Sequence, residues 1–410
     1  MTDGPVPDGR TGPVLDPAPA GRGHALSNGV VAALFAVTGP LAILLNVAID
    51  AGLSAALIDS WILISYVVGG GLSVLFSVVY RQPLALAWTI PGVVLLGPAL
   101  RNLSFEEVVG AYLVTGVVLG VLGITGWARR AMAVIPMPII MGMVAGIFLP
   151  FVVAVVTSFV ATPVLVAAMA VTFFAITAVP RLTTVVPPVL AALVVGVVVV
   201  LLGDDPGLDE VPLALGTLVF VAPAWSLPAM LELVVPLTLT VVAMQNTQGF
   251  AILRAHGFEP PEDRLTIACG GGTILSGLFG AVPICVTGPT TGILNTSGPH
   301  GRRWIGGVVF GVLFALFGVF SPTATALALA LPATFIVVLG GLALVPVLAD
   351  ALAGAFRDRL APMSTVTALV VTASEVTLLR VGAAFWGLVA GMAVWLVVER
   401  PRARRAATDA

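Results

Sequence analysis

The chain contains no lysine, so all of its basic side chains are arginines, and it has only two cysteines and three histidines among 410 residues. A Walker-type nucleotide site and a Schiff-base enzyme both depend on a lysine and are therefore excluded. Cys269 and Cys285 lie in apolar segments, where cysteine behaves as a small packing residue, and they indicate neither a disulfide framework nor a metal site. His24, His256 and His300 lie in polar connections, which argues against a buried histidine proton relay.

Charged residues are also scarce. They make up 9% of the chain, whereas hydrophobic residues make up 59% and the mean hydropathy is +1.12. Soluble domains carry roughly 25% charged residues. The composition therefore predicts a multi-pass protein embedded in the lipid bilayer, with no nucleic-acid partner. The chain has no H-E-x-x-H or G-x-S-x-G motif and no paired acids at membrane depth, so we predict neither an enzyme nor a cofactor or metal site.

The apolar segments predict an all-α membrane protein with fourteen transmembrane segments. Residues 1–26 are rich in proline and glycine, which predicts a disordered tail and no signal peptide, because the next apolar run can span a bilayer. Seven segments precede the acidic connection 204–210 and seven follow it, so the second half enters from the opposite side as a 7+7 inverted repeat. The predicted segments are 27–49, 60–79, 84–100, 104–125, 131–156, 162–179 and 184–202, then 227–253, 265–281, 282–297, 303–320, 324–348, 361–378 and 380–398.

Proline and glycine interrupt the third and the tenth segment. Pro91-Gly92 lies in the middle of the first of these stretches, and Gly288-Pro289 lies in the second. Proline removes a backbone donor and favours an extended residue before it, so we expect 84–90 to be extended and 92–100 to form a half-helix. Such breaks are tolerated in a membrane only where they line a cavity or pack against protein. Paired breaks in two halves are typical of a transporter's substrate site.

The arginines indicate the orientation of the chain. With a cytoplasmic N-terminus, fourteen crossings place every arginine except Arg101 and Arg380 on the cytoplasmic side, and most acidic loop residues on the other side. The positive-inside rule thus favours this count and predicts that both termini are cytoplasmic. Residues 400–410 form a basic C-terminal tail, most simply a topology anchor.

The starts of the two half-helices are expected to face each other at mid-membrane. Their free N–H groups and positive dipole ends suit a small anion, most simply a carboxylate, without any cationic side chain. The alternative is that the prolines only kink packed helices. The residues that we assign to a substrate site around the breaks are Trp88, Pro91, Gly92, Thr287, Gly288 and Thr290.

The eighth segment carries a run of polar residues well inside the membrane. We interpret Gln245, Asn246 and Thr247 as contacts to a substrate or ion, although amide side chains also hold transmembrane helices together. Thr38 is expected at the equivalent place in the first segment, where Thr38-Gly39-Pro40 predicts a mild helix break. Trp88 either stacks on an aromatic substrate or anchors its segment at the interface.

No acidic or basic residue lies clearly at mid-membrane. Glu232 is the acid nearest to the interior of a segment, but it precedes Gln245 by about 20 Å along a helix. We interpret Glu232 as a residue at the outer end of its segment, with a proton-coupling role as the alternative. A coupled proton could instead travel on the substrate carboxylate, or Na⁺ could be coupled through threonine, asparagine and backbone oxygens.

Two motifs resemble those of a known family. Residues 83–92 fit the pattern P-x-x-x-A-W-x-x-P-G, and residues 245–254 fit Q-N-x-x-G-x-x-x-L-R. With Pro136-Met137-Pro138 and Arg302-Arg303-Trp304, they are similar to signatures of the BenE-type benzoate/proton symporter family. The resemblance covers about residues 28–398.

The resemblance implies a fold similar to that of nucleobase and sulfate transporters. In this fold a core domain (27–129 and 223–322) moves against a gate domain (130–222 and 323–399). The resemblance also implies proton-coupled import of benzoate or a similar aromatic carboxylate, an elevator-like motion, a homodimer and a place in the bacterial inner membrane. The alternative is a nucleobase or inorganic-anion carrier of the same fold.

This sequence departs from the family pattern in the tenth segment. The family has an asparagine in an alanine-rich run there, whereas this chain has Cys285, which we include among the substrate-site residues on the basis of the resemblance. The acids that related nucleobase carriers use in the eighth and tenth segments are also absent. Transport of a small organic anion is compatible with both departures.

Overall fold

A computed structural model describes residues 23–127, 135–179, 182, 186–203, 213–295, 299–357, 361–379 and 381–401. The first half contains α1 (Gly23–Asp50), α2 (Ala55–Tyr80), β1 (Leu86–Trp88), α3 (Ile90–Ala99), α4 (Phe105–Thr125), α5 (Met137–Ser158), α6 (Pro163–Ala178) and α7 (Pro188–Leu202). The second half contains α8 (Leu227–Ala255), α9 (Glu262–Gly277), β2 (Ile284–Val286), α10 (Gly288–Leu294), α11 (Trp304–Val319), α12 (Ser321–Ala330), α13 (Ala333–Phe356), α14 (Pro362–Ala373) and α15 (Ala383–Glu399).

Seven of the described helices are long and apolar enough to cross a membrane. They are α1, α2, α4, α5, α8, α13 and the helix that α11 forms with the short turn before it. Large apolar side chains such as Val121 and Phe174 are exposed on the outer surface, where lipid can cover them. The chain is therefore a multi-pass integral membrane protein, as the composition predicts.

Helices from the two halves of the chain pack against one another through small residues. α2 packs on α11, α4 on α9, α1 on α11 and α13, and α5 on α13 and α14. At the α4–α9 contact, a Cβ atom added to Gly270 would lie 2.6 Å from Gly120 N and 2.7 Å from Gly116 O. Close approach of backbones through small residues is the usual way in which transmembrane helices associate.

The first helix differs from its prediction at two places. It begins at Gly23 and not at residue 27, and the buried Ala25 holds its first turn against Gly306 of α11. The helix also continues without a break through Pro40, so the mild break predicted there is wrong. Neighbouring helices can compensate for a proline inside a transmembrane helix.

The predicted segment 324–348 is also wrong, because this stretch is divided between two helices. α12 ends at Ala330 and α13 begins at Ala333, after Leu331-Pro332. Proline fits the start of a helix and lacks the N–H donor that would continue the preceding one, so Pro332 separates the two helices although hydropathy remains high across it. Parts of the predicted tails, residues 1–22 and 402–410, lie outside the described residues, as does the acidic connection 204–210.

Both interrupted segments contain a strand followed by a short helix. β1 and β2 pair antiparallel, with Ala87 opposite Cys285, in the buried interior. The predicted boundary between extended chain and half-helix is wrong by two residues, because α3 already begins at Ile90. Pro91 at the second position of that helix has the φ angle that a first turn requires and needs no intrahelical donor.

The long helix α8 is not a regular α-helix. It contains two π-helical stretches, Met230–Val234 and Thr240–Asn246, on either side of a short α-helical piece with Pro236. The Thr247 hydroxyl donates to Val242 O, five residues earlier, at 2.9 Å. π-Helical turns occur frequently at functional sites, and here the second one contains the polar residues Gln245 and Asn246.

Candidate functional site

The two half-helices begin in the same way. Thr89 precedes α3 with φ −80° and ψ 116°, and Thr287 precedes α10 with φ −80° and ψ 124°. A proline is the second residue of each helix. The Thr89 hydroxyl accepts a hydrogen bond from Gly92 N at 3.3 Å, which satisfies one of the free donors of α3.

The antiparallel ribbon determines how the two half-helices are oriented. Thr89 N donates to Pro283 O at 2.9 Å and Thr287 N donates to Ala85 O at 3.0 Å, so the two threonines lie at opposite ends of the ribbon. Four residue-to-residue steps along the strand separate these ends, which corresponds to roughly 13 Å. Because the strands are antiparallel, the helices leave the ribbon in opposite directions and the positive end of each helix dipole faces the ribbon.

Serines of α2 satisfy the outer edge of β1. Leu86 N donates to Ser73 Oγ at 2.8 Å, and Ser73 Oγ lies 3.0 Å from Leu86 O. Ser77 Oγ makes the same pair of contacts with Leu84, at 3.2 Å to its N and 3.1 Å to its O. All four residues are buried. An unpaired strand edge would be costly inside a membrane, and these hydroxyls remove that cost.

The outer edge of β2 is satisfied by two helices of the second half, the half to which β2 itself belongs. Ile284 N donates to Thr273 Oγ1 of α9 at 3.0 Å, and Val286 N donates to Asn246 Oδ1 of α8 at 2.8 Å. Asn246 was predicted to contact a substrate or ion, whereas no role was predicted for Ser73, Ser77 or Thr273. The spacing of four between the two serines of α2 places them on one helix face but does not indicate which element that face contacts.

The amides of α8 retain unused hydrogen-bonding atoms beside the ribbon. Gln245 is 5% exposed and its Oε1 has no hydrogen-bond partner among the described residues, and the same holds for Nδ2 of Asn246, which is 1% exposed. Gln248 lies against the start of α10, because a Cβ atom on Gly288 would be 2.6 Å from Gln248 Cγ. Buried amide groups of this kind can bind a polar ligand that displaces no existing hydrogen bond.

Some predicted site residues have protein neighbours that account for their burial. The Thr38 hydroxyl donates within its own helix to Leu34 O at 2.9 Å. The ring of Trp88 is 6.2 Å from that of Tyr66, which also packs on Phe314. Trp88 is thus part of an aromatic cluster at the edge of the ribbon.

The remaining predicted residues lie in β2 or near the starts of the two half-helices. The hydroxyls of Thr287 and Thr290 are 3.4 Å apart, and both residues are buried. Cys285 is fully buried in a small apolar cluster with Val241 and Val242. Pro91 and Gly92 are buried in the first turn of α3.

The polar residues around the ribbon are neutral in the part of the chain that the structure describes. Glu232 lies elsewhere, in the first π-helical stretch of α8, and is 3% exposed. Glu232 was predicted to be a residue of the outer end of its segment, where its carboxylate would be solvated. The structure corrects this prediction, because the side chain is buried. The described residues contain no group of three or more histidine, cysteine, aspartate or glutamate side chains that could hold a metal ion.

A family model and two related proteins match nearly the whole chain. The family model described as "Benzoate membrane transport protein" (BenE) matches residues 21–397. The chain is 31% identical over 375 residues to inner membrane protein YdcO of Escherichia coli, which covers 90% of this chain and 95% of that protein. It is 28% identical over 381 residues to the benzoate membrane transport protein of Acinetobacter baylyi, and this alignment covers 92% of this chain and 95% of that protein.

Two solved structures share the fold at low sequence identity. The transmembrane domain of a cyanobacterium bicarbonate transporter, BicA, superposes with a TM-score of 0.58 at 18% identity, covering 90% of this chain and 97% of that one. SLC26A9 superposes with a TM-score of 0.60 at 14% identity, and the match covers 92% of this chain and 64% of that one. At these identities the likeness concerns the fold. The family model spans nearly the whole sequence, and the chain therefore belongs to the BenE family of benzoate membrane transport proteins, which are membrane transporters and not enzymes.

Proposed function

We propose that this protein is a secondary active transporter that imports benzoate or a similar small aromatic carboxylate by proton symport. The observation that carries the proposal is the buried antiparallel ribbon from which two half-helices start with the same backbone geometry. Both helix dipoles present their positive ends to the ribbon, and the unused Nδ2 donor of Asn246 lies beside it, next in the chain to Gln245 with its unused Oε1 acceptor. A carboxylate accepts hydrogen bonds from N–H groups and is stabilised by a helix N-terminus.

The two interrupted segments support a 7+7 inverted repeat. Each consists of a strand, a threonine, a proline and a half-helix, and the two strands run in opposite directions. If α12 is left out as a connection, α1–α7 and α8–α15 provide seven segments each. An inverted repeat brings equivalent broken segments together near the membrane midplane, where transporters of this kind bind substrate.

The helix contacts support a division into core and gate domains. In the proposed core, α2 packs on α11 and α4 on α9, and the ribbon connects the two halves. In the proposed gate, α5 packs on α13 and α14, α6 on α7, and α14 on α15. We propose that the core (27–129 and 223–322) moves relative to the gate (130–222 and 323–399) in an elevator-like cycle, in a homodimer of the bacterial inner membrane with cytoplasmic termini.

Uptake of radiolabelled benzoate into proteoliposomes tests this function. We expect accumulation when the lumen is made alkaline, and no accumulation when a sodium gradient replaces the proton gradient. Gln245→Ala removes an amide that is proposed to contact substrate, at a cost of about 0.6–2 kcal/mol, so half-saturation should need roughly 3- to 30-fold more benzoate.

Asn46→Ala is the matched control for Gln245→Ala. Asn46 is another amide of a long helix, but it lines a separate cavity with Asp50 and Leu329 at the end of α1. Normal uptake by Gln245→Ala would contradict the assignment of this residue to the site. Failure of the wild-type protein to accumulate benzoate under either gradient would contradict the proposed function.

A further inference from the structure

Glu232 is a buried carboxylate with half of its hydrogen-bonding capacity unused. It is 3% exposed, and one of its oxygens accepts a hydrogen bond from the backbone N–H of Gly382, just before α15. A Cβ atom at residue 382 would collide with Oε1 of Glu232, so a larger residue there would have to displace the carboxylate. The other oxygen, Oε2, has no hydrogen-bond partner among the described residues.

A small cavity lies between Glu232 and the helices that face it. Its volume is about 30 Å³, which is enough for a water molecule. α3 contributes Val94 and Pro98 to its lining, α5 contributes Gly146, and α14 contributes Thr372. The Thr372 hydroxyl is buried and, like Oε2 of Glu232, lacks a partner within the described ranges.

No cationic side chain in the described part of the chain forms an ion pair with Glu232. Glu375 lines the same cavity, but its carboxylate is paired with Arg101 at 2.9 Å. The facing helices α3, α5 and α14 contain no titratable side chain as described. The titratable residues of the other two helices that pack on this part of α8 are Glu106, Glu107 and Tyr112 in α4, and Glu399 at the far end of α15.

Two of those carboxylates have local roles of their own. Glu107 accepts the N–H of Ser104 at 2.8 Å in a capping box, and Glu399 accepts Met363 N at 2.8 Å at the start of α14. Neither is directed at Glu232. An isolated carboxylate in a nonpolar interior is costly unless it is paired, and uptake of a proton by Oε2 removes the charge. The resulting O–H group could then donate to Thr372 or to a water molecule in the cavity.

We propose that the Glu232 carboxyl group binds the proton that is coupled to anion transport, an inference that rests on the proposed function. The proton forms an O–H bond with Oε2, and no other covalent bond changes. Glu232 lies on α8, which carries Gln245 and Asn246, whereas Gly382 belongs to the opposing group of helices. A charged acceptor makes a stronger hydrogen bond than a neutral one, so protonation weakens the contact between the two groups and loss of the proton strengthens it.

Glu232→Gln tests the proposal, because glutamine resembles the protonated carboxyl group but cannot release a proton. In proteoliposomes, the wild-type protein should accumulate benzoate up to about tenfold for each unit of imposed pH difference. Glu232→Gln should show no response to the pH gradient, while exchange of labelled for unlabelled benzoate at equal pH continues. Glu106→Gln, which alters an exposed acid of α4, should respond as the wild type does. A normal response of Glu232→Gln to the pH gradient overturns the proposal. It is also overturned if a sodium gradient drives benzoate accumulation by the wild-type protein and by Glu106→Gln but not by Glu232→Gln.

Infrared difference titration separates this proposal from the proposed function, because it needs no substrate. Purified protein in lipid should show a protonated carboxyl band that titrates with pH, that disappears in Glu232→Gln, and that remains in Glu106→Gln. If the wild-type protein does not transport benzoate but this band is lost in Glu232→Gln, the proposed function fails and the proton site stands. If the band persists in Glu232→Gln, the proton site is refuted whatever the transport result.

Discussion

The hydrogen bond that Thr273 makes to the ribbon should contribute measurably to stability. Its hydroxyl accepts from Ile284 N at 3.0 Å and donates to Cys269 O at 2.6 Å, and both Thr273 and Ile284 are fully buried. Thr273→Val replaces the hydroxyl by a methyl group of similar size. The N–H of Ile284 then has no acceptor on this side, and water cannot reach it.

The expected cost follows from the loss of one partner of a buried pair. An unsatisfied buried donor costs about 1–3 kcal/mol, which changes the ratio of folded to unfolded protein by roughly 5- to 150-fold. The Thr273→Ser variant keeps the hydroxyl and should recover most of this loss. Benzoate uptake should fall with Thr273→Val as well, because β2 leads directly into α10.

Denaturant unfolding in lipid-containing micelles measures the effect as a shift in the midpoint at constant slope. Thr367→Val is the matched control, because the Thr367 hydroxyl donates at 2.8 Å to Met363 O in its own helix, close to the surface. If Thr273→Val unfolds at the same midpoint as Thr367→Val, the hydroxyl does not support the ribbon and our interpretation of the strand edges is refuted.

Two further substitutions test contacts elsewhere in the protein. Gly288→Ala should reduce the affinity for benzoate by roughly 5- to 150-fold, because its Cβ atom collides with Gln248 and overpacking costs about 1–3 kcal/mol. Gly71→Ala is the control in the same uptake assay, because a Cβ atom at residue 71 lies in open space. Glu399→Gln should lower the free energy of unfolding by about 1–2 kcal/mol, because the carboxylate accepts three hydrogen bonds from Met363 and Ser364 at the start of α14. Unfolding midpoints compared with those of the exposed Asp350→Asn variant check this result, and equal midpoints would refute it.

The interrupted segments were predictable because their signals are local. Pro91-Gly92 and Gly288-Pro289 indicate where a helix cannot continue, and no other part of the chain is needed to see it. The same local rule failed at Pro40, where neighbouring helices compensate for the missing donor. The helix boundary that the same rule indicates at Pro332 was not predicted, because the apolar sequence continues across it.

The partners of the ribbon and of Glu232 were not predictable from the sequence. Ser73 and Thr273 look like small polar residues of ordinary transmembrane helices until the ribbon lies beside them. Glu232 is buried against Gly382, which is 150 residues away in the chain. Such contacts depend on which helices meet, and hydropathy or proline spacing in a single segment carries no information about that.

The shared ribbon has a mechanical consequence. Its strands come from opposite halves of the chain, and side chains from α2, α8 and α9 hold its two outer edges. Displacing one half-helix alone would break several of these hydrogen bonds where no water can replace them. The two half-helices and these three helices are thus expected to travel as one rigid body, and flexibility must be sought in the connections at its periphery.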